Sequence, residues 1–294
     1  MNLLAGWWKK EESEKDMVVC NLCIHKCHIP HGRAGYCQVR HNVHGVLLSP
    51  FLGKFSSVAI DPIEKKPLYN WKPGTFIFSL GSIGCTMRCP FCQNHSIAQP
   101  ASLNIVNLPV LKEISAKQLI HTIKKMGLAS VAFTYNEPTL QAEYIIQAGP
   151  FLRQEKISVV LVTNGNMSPQ ALQDLMPWID ALNIDLKTYN TSHYKKMGGS
   201  LEQVKDNIKY LVQAGKHVEL TTLVVPKISD DEGECLEMIK WVASVSPDIP
   251  LHFSRYSPAF KYTEPATPLH ILEKFHKQAK AYLKHVYIGN VGKR

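Results

Sequence analysis

The sequence has 294 residues, 45% of them hydrophobic, which is enough for a substantial core in one domain of roughly 250 residues plus a small appendage. No apolar run approaches the roughly 20 residues that span a bilayer, and residues 1–16 lack a signal-peptide cleavage pattern, so we expect a cytoplasmic protein without membrane contact. The formal net charge of +9 comes from scattered lysines and arginines without a basic–aromatic block, which argues against nucleic-acid binding.

Four cysteines mark the amino-terminal part of the chain: Cys20, Cys23, Cys27 and Cys37. Clustered cysteines in a chain of cytosolic character indicate metal ligands rather than disulfides, and four thiolates close a tetrahedral site. We predict a structural metal here, with zinc favoured because the region is small and poor in core residues. An auxiliary 4Fe–4S cluster is the alternative. The neighbouring histidines are expected to be solvated rather than ligating: His25, His28, His31, His41 and His44.

After residue 70, short apolar strands alternate with helical stretches, so we place a boundary there. Residues 1–70 are the Cys/His-rich metal-binding segment and residues 71–294 the main domain. Strands are predicted at 76–80, 130–135, 158–163, 181–185, 217–225, 250–254 and 285–288. Helices are predicted at 115–127, 139–153, 168–177, 201–214, 231–245 and 269–283, three of them capped by Ser115, Ser168 and Asp230.

This alternation predicts an α/β fold in which helices cover a parallel sheet. Six or seven units favour a partial or near-complete (β/α) barrel. A doubly wound dinucleotide fold has no support, because no Gly-x-Gly-x-x-Gly follows the first strand. Cys235, on a predicted helix, is expected to be a buried small apolar residue.

Three further cysteines, Cys85, Cys89 and Cys92, follow the first predicted strand in a Cys-x3-Cys-x2-Cys pattern. A cubane iron–sulfur cluster needs one ligand per iron, so three thiolates leave one iron open, as a catalytic metal site keeps a vacant position. A zinc site or a buried loop is the alternative. The strand 76–80 and the glycine-rich exit at 81–84 place the cysteines on a strand-to-helix loop, which favours the cluster.

This pattern resembles that of the radical S-adenosylmethionine (radical SAM) enzymes. The resemblance implies that the open iron binds the amino and carboxyl groups of S-adenosylmethionine (SAM). It also implies that one electron from the cluster releases a 5′-deoxyadenosyl radical, which takes hydrogen from a substrate. Phe91 matches the aromatic residue that precedes the third cysteine in this family and lies near the adenine.

The ends of the next strands carry further candidates, because ligands of α/β barrels lie at the carboxyl ends of strands. Asn136 and Glu137 resemble the family's Gly-Gly-Glu-Pro motif, which implies binding of the SAM amino group. Asn164 lies in a Thr-Asn-Gly sequence that resembles the one in activating enzymes. Asp185 and Lys187 lie in an Asp-Leu-Lys sequence that also resembles theirs, and this second match implies contact with the SAM carboxylate. Two structural roles without ligand binding remain as alternatives: Glu137 could begin the next helix, and Asp185 could form an ion pair with Lys187.

Four positions in or next to these strands do not have a clear role. Val162 stands where an aspartate usually precedes Thr-Asn-Gly, and Thr221 stands where an arginine is frequent. Together with Asn136, which replaces the second glycine of Gly-Gly-Glu-Pro, they weaken the match to activating enzymes. In strand 250–254 and just after it, His252 or Arg255 could face the cofactor, and strand alternation alone does not choose between them.

A closer resemblance spans about residues 17 to 292. The amino-terminal cysteines, the segments 61–68, 93–94 and 135–139, and the end of the last strand at 287–291 resemble the radical SAM enzymes of the AmmeMemoRadiSam system, relatives of the pyruvate formate-lyase activating enzymes. The family association implies Memo- and AMMECR1-type partners, a protein or peptide substrate, and a flavodoxin- or ferredoxin-type reductant. A glycyl-radical-enzyme activating enzyme is the first alternative function, and an iron–sulfur electron-transfer protein is the second.

Overall fold

The computed structural model describes residues 3–12, 14–99 and 110–292. Its amino-terminal part consists of short antiparallel strands. A three-stranded sheet joins β1 (Trp8–Lys10), β2 (Val18–Cys20) and β3 (His28–Ile29), and a hairpin joins β4 (His41–Val43) to β5 (Val46–Leu48). Two strands follow, β6 (Lys54–Phe55) and β7 (Ser57–Pro62).

The rest of the chain alternates between strands and helices. In chain order the elements are β8 (Phe76–Gly81), α1 (His95–Ala98), β9 (Lys112–Glu113), α2 (Ala116–Lys125), β10 (Ser130–Phe133), α3 (Ala142–Gln154), β11 (Ser158–Thr163), α4 (Pro169–Leu175), β12 (Ala181–Asp185), α5 (Thr191–Lys196), α6 (Leu201–Gln213), β13 (His217–Val224), α7 (Glu232–Val245), β14 (Leu251–Arg255), α8 (Leu269–Ala279) and β15 (Val286–Gly289).

An eight-stranded sheet forms the main domain, in the order β15, β14, β13, β12, β11, β10, β8, β7. All neighbours from β8 to β15 pair in parallel, whereas β7 pairs antiparallel with β8. The predicted parallel α/β sheet of a partial barrel is therefore confirmed. The seven predicted strands and six predicted helices are all present, while the short helices α1 and α5 were not predicted.

Helix capping agrees with the sequence at two of three positions. Ser115 forms a capping box at α2, and Ser168 accepts a hydrogen bond from Ala171 N at the start of α4. The predicted cap Asp230 is wrong by one residue. Asp231 caps α7, with Glu234 N donating to its side chain, while Asp230 accepts from Lys227 N in the preceding turn.

Residues 63–72, which we call the closing segment, fill the barrel at the amino-terminal ends of its strands. Leu68 is fully buried in a small core cluster with Ile77, Ala132, Val160 and Ala181. The backbone N–H groups of residues 69 and 70 donate to the carboxylate of Glu219 on β13, at 3.0 and 2.8 Å. One end of the barrel is thus closed by the chain itself.

The closing segment and β7 both bear on the boundary predicted near residue 70. β7 lies before that residue and pairs along its whole length with β8, so the main sheet begins upstream of the boundary. The division into 1–70 and 71–294 remains a proposal. Among the described residues, no helix has the length and apolar character required to span a bilayer.

Candidate active site

A cavity of about 310 Å³ lies at the carboxyl ends of the strands, and Lys65 and Pro67 of the closing segment also line it. This volume falls at the lower end of the range of about 300–1,000 Å³ that is usual for small-molecule sites. Nine residues predicted from the sequence line it: Cys85, Cys89, Phe91, Cys92, Asn136, Glu137, Asn164, Asp185 and Lys187. Residues from four separate loops therefore meet at one place, as the rule for strand ends predicts.

The cysteine loop, residues 82–94, is shaped by tight packing against the amino-terminal segment. Gly84 has a φ of +87°, which favours glycine, and a Cβ there would lie 2.7 Å from a methyl carbon of Val39. His25 Nε2 lies 2.8 Å from the carbonyl oxygen of Thr86. Arg88 N donates to the carbonyl oxygen of Met197, which joins the loop to the end of α5 at 2.7 Å. The loop is therefore held from two sides.

Burial makes the three thiols of this loop hard to ionise. It raises the pKa of Cys89 to about 11, against the opposing charge of Lys187. Burial, followed by the negative charge of Glu137, raises the pKa of Cys85, and burial raises that of Cys92. Sulfur ligates metals as thiolate, so a cationic cluster would favour the ionised form that burial disfavours.

The donor set fits an iron–sulfur cluster in its chemistry, since three thiols face one cavity. Within the described residues, however, no three His, Cys, Asp or Glu side chains are arranged as a ready coordination group. The ligand roles of Cys85, Cys89 and Cys92 therefore rest on the donor set, the shared cavity and the motif.

Glu137 is buried at 1% exposure, and its carboxylate is almost fully hydrogen-bonded within the chain. Oε1 accepts from Thr139 N at 3.0 Å and from the hydroxyl groups of Thr139 and Thr163 at 2.5 and 2.7 Å, and Oε2 accepts from Asn164 N at 2.9 Å. Glu137 thus caps the 3-10 helix Pro138–Gln141, which is the structural role given as the alternative. It also lines the cavity. Burial raises its pKa despite these bonds.

Asn136 occupies the place of a family glycine, and its side chain has a use that glycine could not fulfil. Its Oδ1 accepts from Ser82 N at 2.9 Å, and its Nδ2 donates to the carbonyl oxygen of Gly84 at 3.0 Å. The side chain therefore ties the end of β10 to the start of the cysteine loop.

The remaining predicted residues are also held by internal contacts. Asn164 Nδ2 lies 2.9 Å from Thr86 Oγ1 and 3.5 Å from Cys85 Sγ. Lys187 Nζ is 3.0 Å from Asp185 Oδ2, so the simple pairing is real. Burial would lower the pKa of Lys187, but the negative charge of Asp185 outweighs it and raises the pKa, so the ammonium stays charged.

Several cavity residues were not predicted as ligands. Val162 and Thr221 line the cavity, and the buried Thr221 hydroxyl has no hydrogen-bond partner among the residues that the structure describes. Of the two β14 residues between which the sequence did not choose, neither lines the cavity. His252 Nε2 lies 2.7 Å from the Glu219 carboxylate near the closing segment, and Arg255 Nε donates to the carbonyl oxygen of Thr267. The β14 residue that does line the cavity is Ser254, two residues after His252. The strand-end rule could also have found Asn290, which follows β15.

Of the four amino-terminal cysteines, Cys20, Cys23 and Cys37 are buried and Cys27 is half-buried. Burial raises the pKa of Cys23, and the charges of Cys37, Cys20 and Cys27 add to this effect. Tyr36 N lies 3.3 Å from Cys27 Sγ. No ready coordination group is present in this part of the described chain either, so the structural metal remains a prediction supported by the thiols alone.

Three of the neighbouring histidines have ring partners: His25 stacks on Tyr36 at 3.8 Å, and His31 and His44 stack on each other at 4.1 Å. Cys235 is buried on α7, as expected.

The family model for the radical SAM superfamily matches residues 80–239, a span that holds the cysteine loop and the ends of β10 to β13. The chain belongs to the radical SAM superfamily. It is therefore an enzyme of the class that uses a 4Fe–4S cluster and SAM.

Curated relatives and solved structures agree with this placement. An uncharacterized protein of Methanocaldococcus jannaschii is 36% identical over 285 residues, covering 96% of this chain and 84% of that protein. The pyruvate formate-lyase 1-activating enzyme of Escherichia coli is 28% identical over 153 residues, covering 51% of this chain and 61% of that enzyme, which indicates relatedness to glycyl-radical activating enzymes.

In fold, the chain is similar to SuiB of Streptococcus suis, solved with SAM bound. The TM-score is 0.53 at 16% identity, covering 71% of this chain and 48% of SuiB. At this identity the similarity concerns the fold alone.

Proposed function

We propose that this radical SAM enzyme holds its 4Fe–4S cluster through Cys85, Cys89 and Cys92 and binds SAM in the adjoining cavity. The observation that carries the proposal is the convergence of the cysteine loop and three strand ends on one cavity. Three thiols leave one iron of a cubane without a protein ligand, which gives the amino and carboxyl groups of SAM a place to bind.

When bound, the cluster supplies the electron that cleaves SAM into methionine and a 5′-deoxyadenosyl radical. The residues of the chain bind and orient SAM. Lys187, charged and held by Asp185, is suited to a carboxylate, and the acceptors around Asn136 and Glu137 are suited to an ammonium group. Phe91, 3% exposed and edge-on to Tyr262 at 6.3 Å, offers an apolar surface to the adenine.

The substrate that we favour is a protein or peptide, within the AmmeMemoRadiSam group. Its support is the resemblance of the named motifs, together with the similarity to an activating enzyme that covers about half of the chain. Memo- and AMMECR1-type proteins are the partners that this group implies. The alternative, activation of a glycyl-radical enzyme, is weakened by Val162, Thr221 and Asn136, which replace the aspartate, arginine and glycine expected there.

The N-terminal cysteines are proposed to hold a structural metal, with zinc preferred to a second cluster. For the electron donor we propose a flavodoxin- or ferredoxin-type protein. Such carriers are acidic, and the net charge of +9 would attract them at low ionic strength.

Deuterium transfer tests the proposed reaction. Anaerobically reconstituted enzyme, reductant and SAM are mixed with deuterated Memo-type, AMMECR1-type or glycyl-radical proteins, and 5′-deoxyadenosine is analysed by mass spectrometry. Label from a Memo- or AMMECR1-type protein supports the proposal. Label only from a glycyl-radical protein, with a radical detected on it, favours the alternative.

A further inference from the structure

Asp61, Lys66 and Tyr135, which we call the Asp61 triad, form a polar group that the proposed reaction does not use, with Asp61 and Lys66 buried and Tyr135 half-buried. Only Tyr135 reaches the cavity. We propose that Asp61 and Lys66 are positioning residues that hold Tyr135 in place and thereby preorganise the SAM cavity. This inference rests on the proposed function, because it assigns a role within the same site.

The triad fixes the Tyr135 side chain at two points. The phenol donates a hydrogen bond of 2.6 Å to Asp61 Oδ2, and Lys66 Nζ binds the same oxygen at 2.7 Å. Lys66 Nζ also lies 4.5 Å from the centroid of the Tyr135 ring, within cation–π range. Asp61 and Lys66 are only 7% and 2% exposed, so water competes little for these contacts.

The backbone of Tyr135 needs such support. Its φ is +68°, a left-handed conformation that is rare and unfavourable for a bulky residue. Glycine at position 81 provides the space for the ring, since a Cβ there would lie 2.8 Å from Tyr135 Cδ2. Both the triad and this glycine therefore favour one unusual conformation.

That conformation aims the Tyr135–Asn136 turn at both ends of the cysteine loop. The carbonyl oxygen of Tyr135 accepts from Asn94 Nδ2 at 2.8 Å, two residues after Cys92. Asn136 bonds Ser82 N and Gly84 O, just before Cys85. The turn that the triad holds in place is thus hydrogen-bonded to the cysteine loop on either side of its three cysteines.

The protonation states favour this arrangement over a wide pH range. Burial alone would raise the pKa of Asp61, but the hydrogen bonds and charge of Lys66 and the bond from Tyr135 outweigh it and lower the pKa to about 2. Burial and the Asp61 carboxylate raise the pKa of Tyr135 to about 12. At neutral pH the phenol is therefore the donor and the carboxylate the acceptor.

The substitution Tyr135→Phe tests the inference, because it removes the hydroxyl and keeps the ring. Its matched control is Tyr287→Phe, which removes a hydroxyl that donates to Asn70 Oδ1 at 2.7 Å and does not line the cavity. Both proteins are reconstituted to equal iron content, and SAM is titrated while the EPR spectrum of the reduced cluster is followed. We expect SAM to bind roughly tenfold more weakly to Tyr135→Phe and within about twofold of wild type to Tyr287→Phe.

A second variant, Asp61→Asn, keeps an acceptor for the phenol but removes the charge that holds Lys66. A loss of SAM affinity in the same direction, at unchanged iron content, supports the positioning role. Wild-type affinity in both Tyr135→Phe and Asp61→Asn overturns the inference alone. If the wild-type protein gives no SAM-dependent change in its EPR spectrum, the proposed function fails and the inference fails with it.

Discussion

The guanidinium carbon of Arg88 lies 4.5 Å from the ring centroid of Tyr36, and this contact joins the cysteine loop to the amino-terminal cysteine segment. The same guanidinium donates to the carbonyl oxygens of Tyr36, Cys85 and Met87. Tyr36 also stacks on His25, whose other contact is the Thr86 carbonyl oxygen. Arg88 and Tyr36 therefore join the cysteine loop to the segment that carries the four amino-terminal cysteines.

The substitution Arg88→Met is expected to destabilise the cysteine loop. It removes a cation–π contact and several charge-assisted hydrogen bonds, a loss of about 2–3 kcal/mol. We expect lower iron retention after reconstitution and a lower midpoint of thermal unfolding. Arg153→Met is the control, since Arg153 also stacks on a ring, that of Trp178 at 5.3 Å, and donates to a carbonyl oxygen, but far from the loop. Equal iron retention in the two variants would contradict the link.

Replacing Asn136 by glycine, the residue usual in the family, is expected to weaken SAM binding roughly tenfold. The change removes two hydrogen bonds, each worth about 0.5–1.5 kcal/mol, that hold the cysteine loop. Equilibrium binding of SAM to the reconstituted protein measures the effect. Asn136→Asp keeps the acceptor for Ser82 N and is expected to lie between wild type and glycine. A glycine variant that binds SAM as tightly as wild type would show that the bonds are dispensable.

Glu219 is expected to make stability depend on pH. Burial alone would raise its pKa, but hydrogen bonds from His217, His252 and the N–H groups of residues 69 and 70 lower the pKa from 4.5 to about 2. A depressed carboxyl pKa stabilises the fold above the unfolded value, and this contribution is lost as pH falls from about 4.5 towards 2. The shift corresponds to roughly 3 kcal/mol.

Urea unfolding of Glu219→Gln measures that contribution. The variant should be less stable than wild type at pH 7, and the difference should shrink as the pH falls below about 4.5. Glu237→Gln, in an exposed pair with Lys240, should change stability by less than about 1 kcal/mol at either pH. A difference that is the same at pH 7 and at pH 3.5 would refute the assignment.

The double variant Cys20→Ala/Cys23→Ala is expected to lose zinc and keep its iron. The reason is that a structural tetrahedral site loses its metal when two of four thiolates are removed. Inductively coupled plasma analysis of both metals makes the measurement, with Cys235→Ala as the control for removal of a buried thiol. A fall in iron with no change in zinc would instead establish a second iron–sulfur cluster.

Much of the fold could be predicted because its strands are short, apolar and β-branched and its helices carry clear periodicity. Helix α5 was missed since its six residues have no apolar stripe and only Tyr194 is buried. The cap of α7 was misplaced because Asp230 and Asp231 are adjacent and either side chain can accept from a helix N–H group. Local sequence does not choose between two such neighbours.

The site was predictable where a strand end meets the cavity, as at Asn136, Glu137, Asn164 and Asp185. It was not predictable where distant segments contribute. Lys65 lines the cavity from the closing segment, which no local pattern directs into the barrel. Tyr135, whose backbone is left-handed, donates a hydrogen bond to Asp61, 74 residues earlier, and such a contact arises only when the chain folds.

Reductive cleavage of SAM tests the central claim most directly. Wild type and Cys89→Ala are reconstituted anaerobically, reduced and given SAM, and 5′-deoxyadenosine and methionine are quantified by chromatography. The wild-type protein should form both products and Cys89→Ala should form neither, because two thiolates cannot hold the cluster in place. Equal amounts of product from both proteins would contradict the assignment.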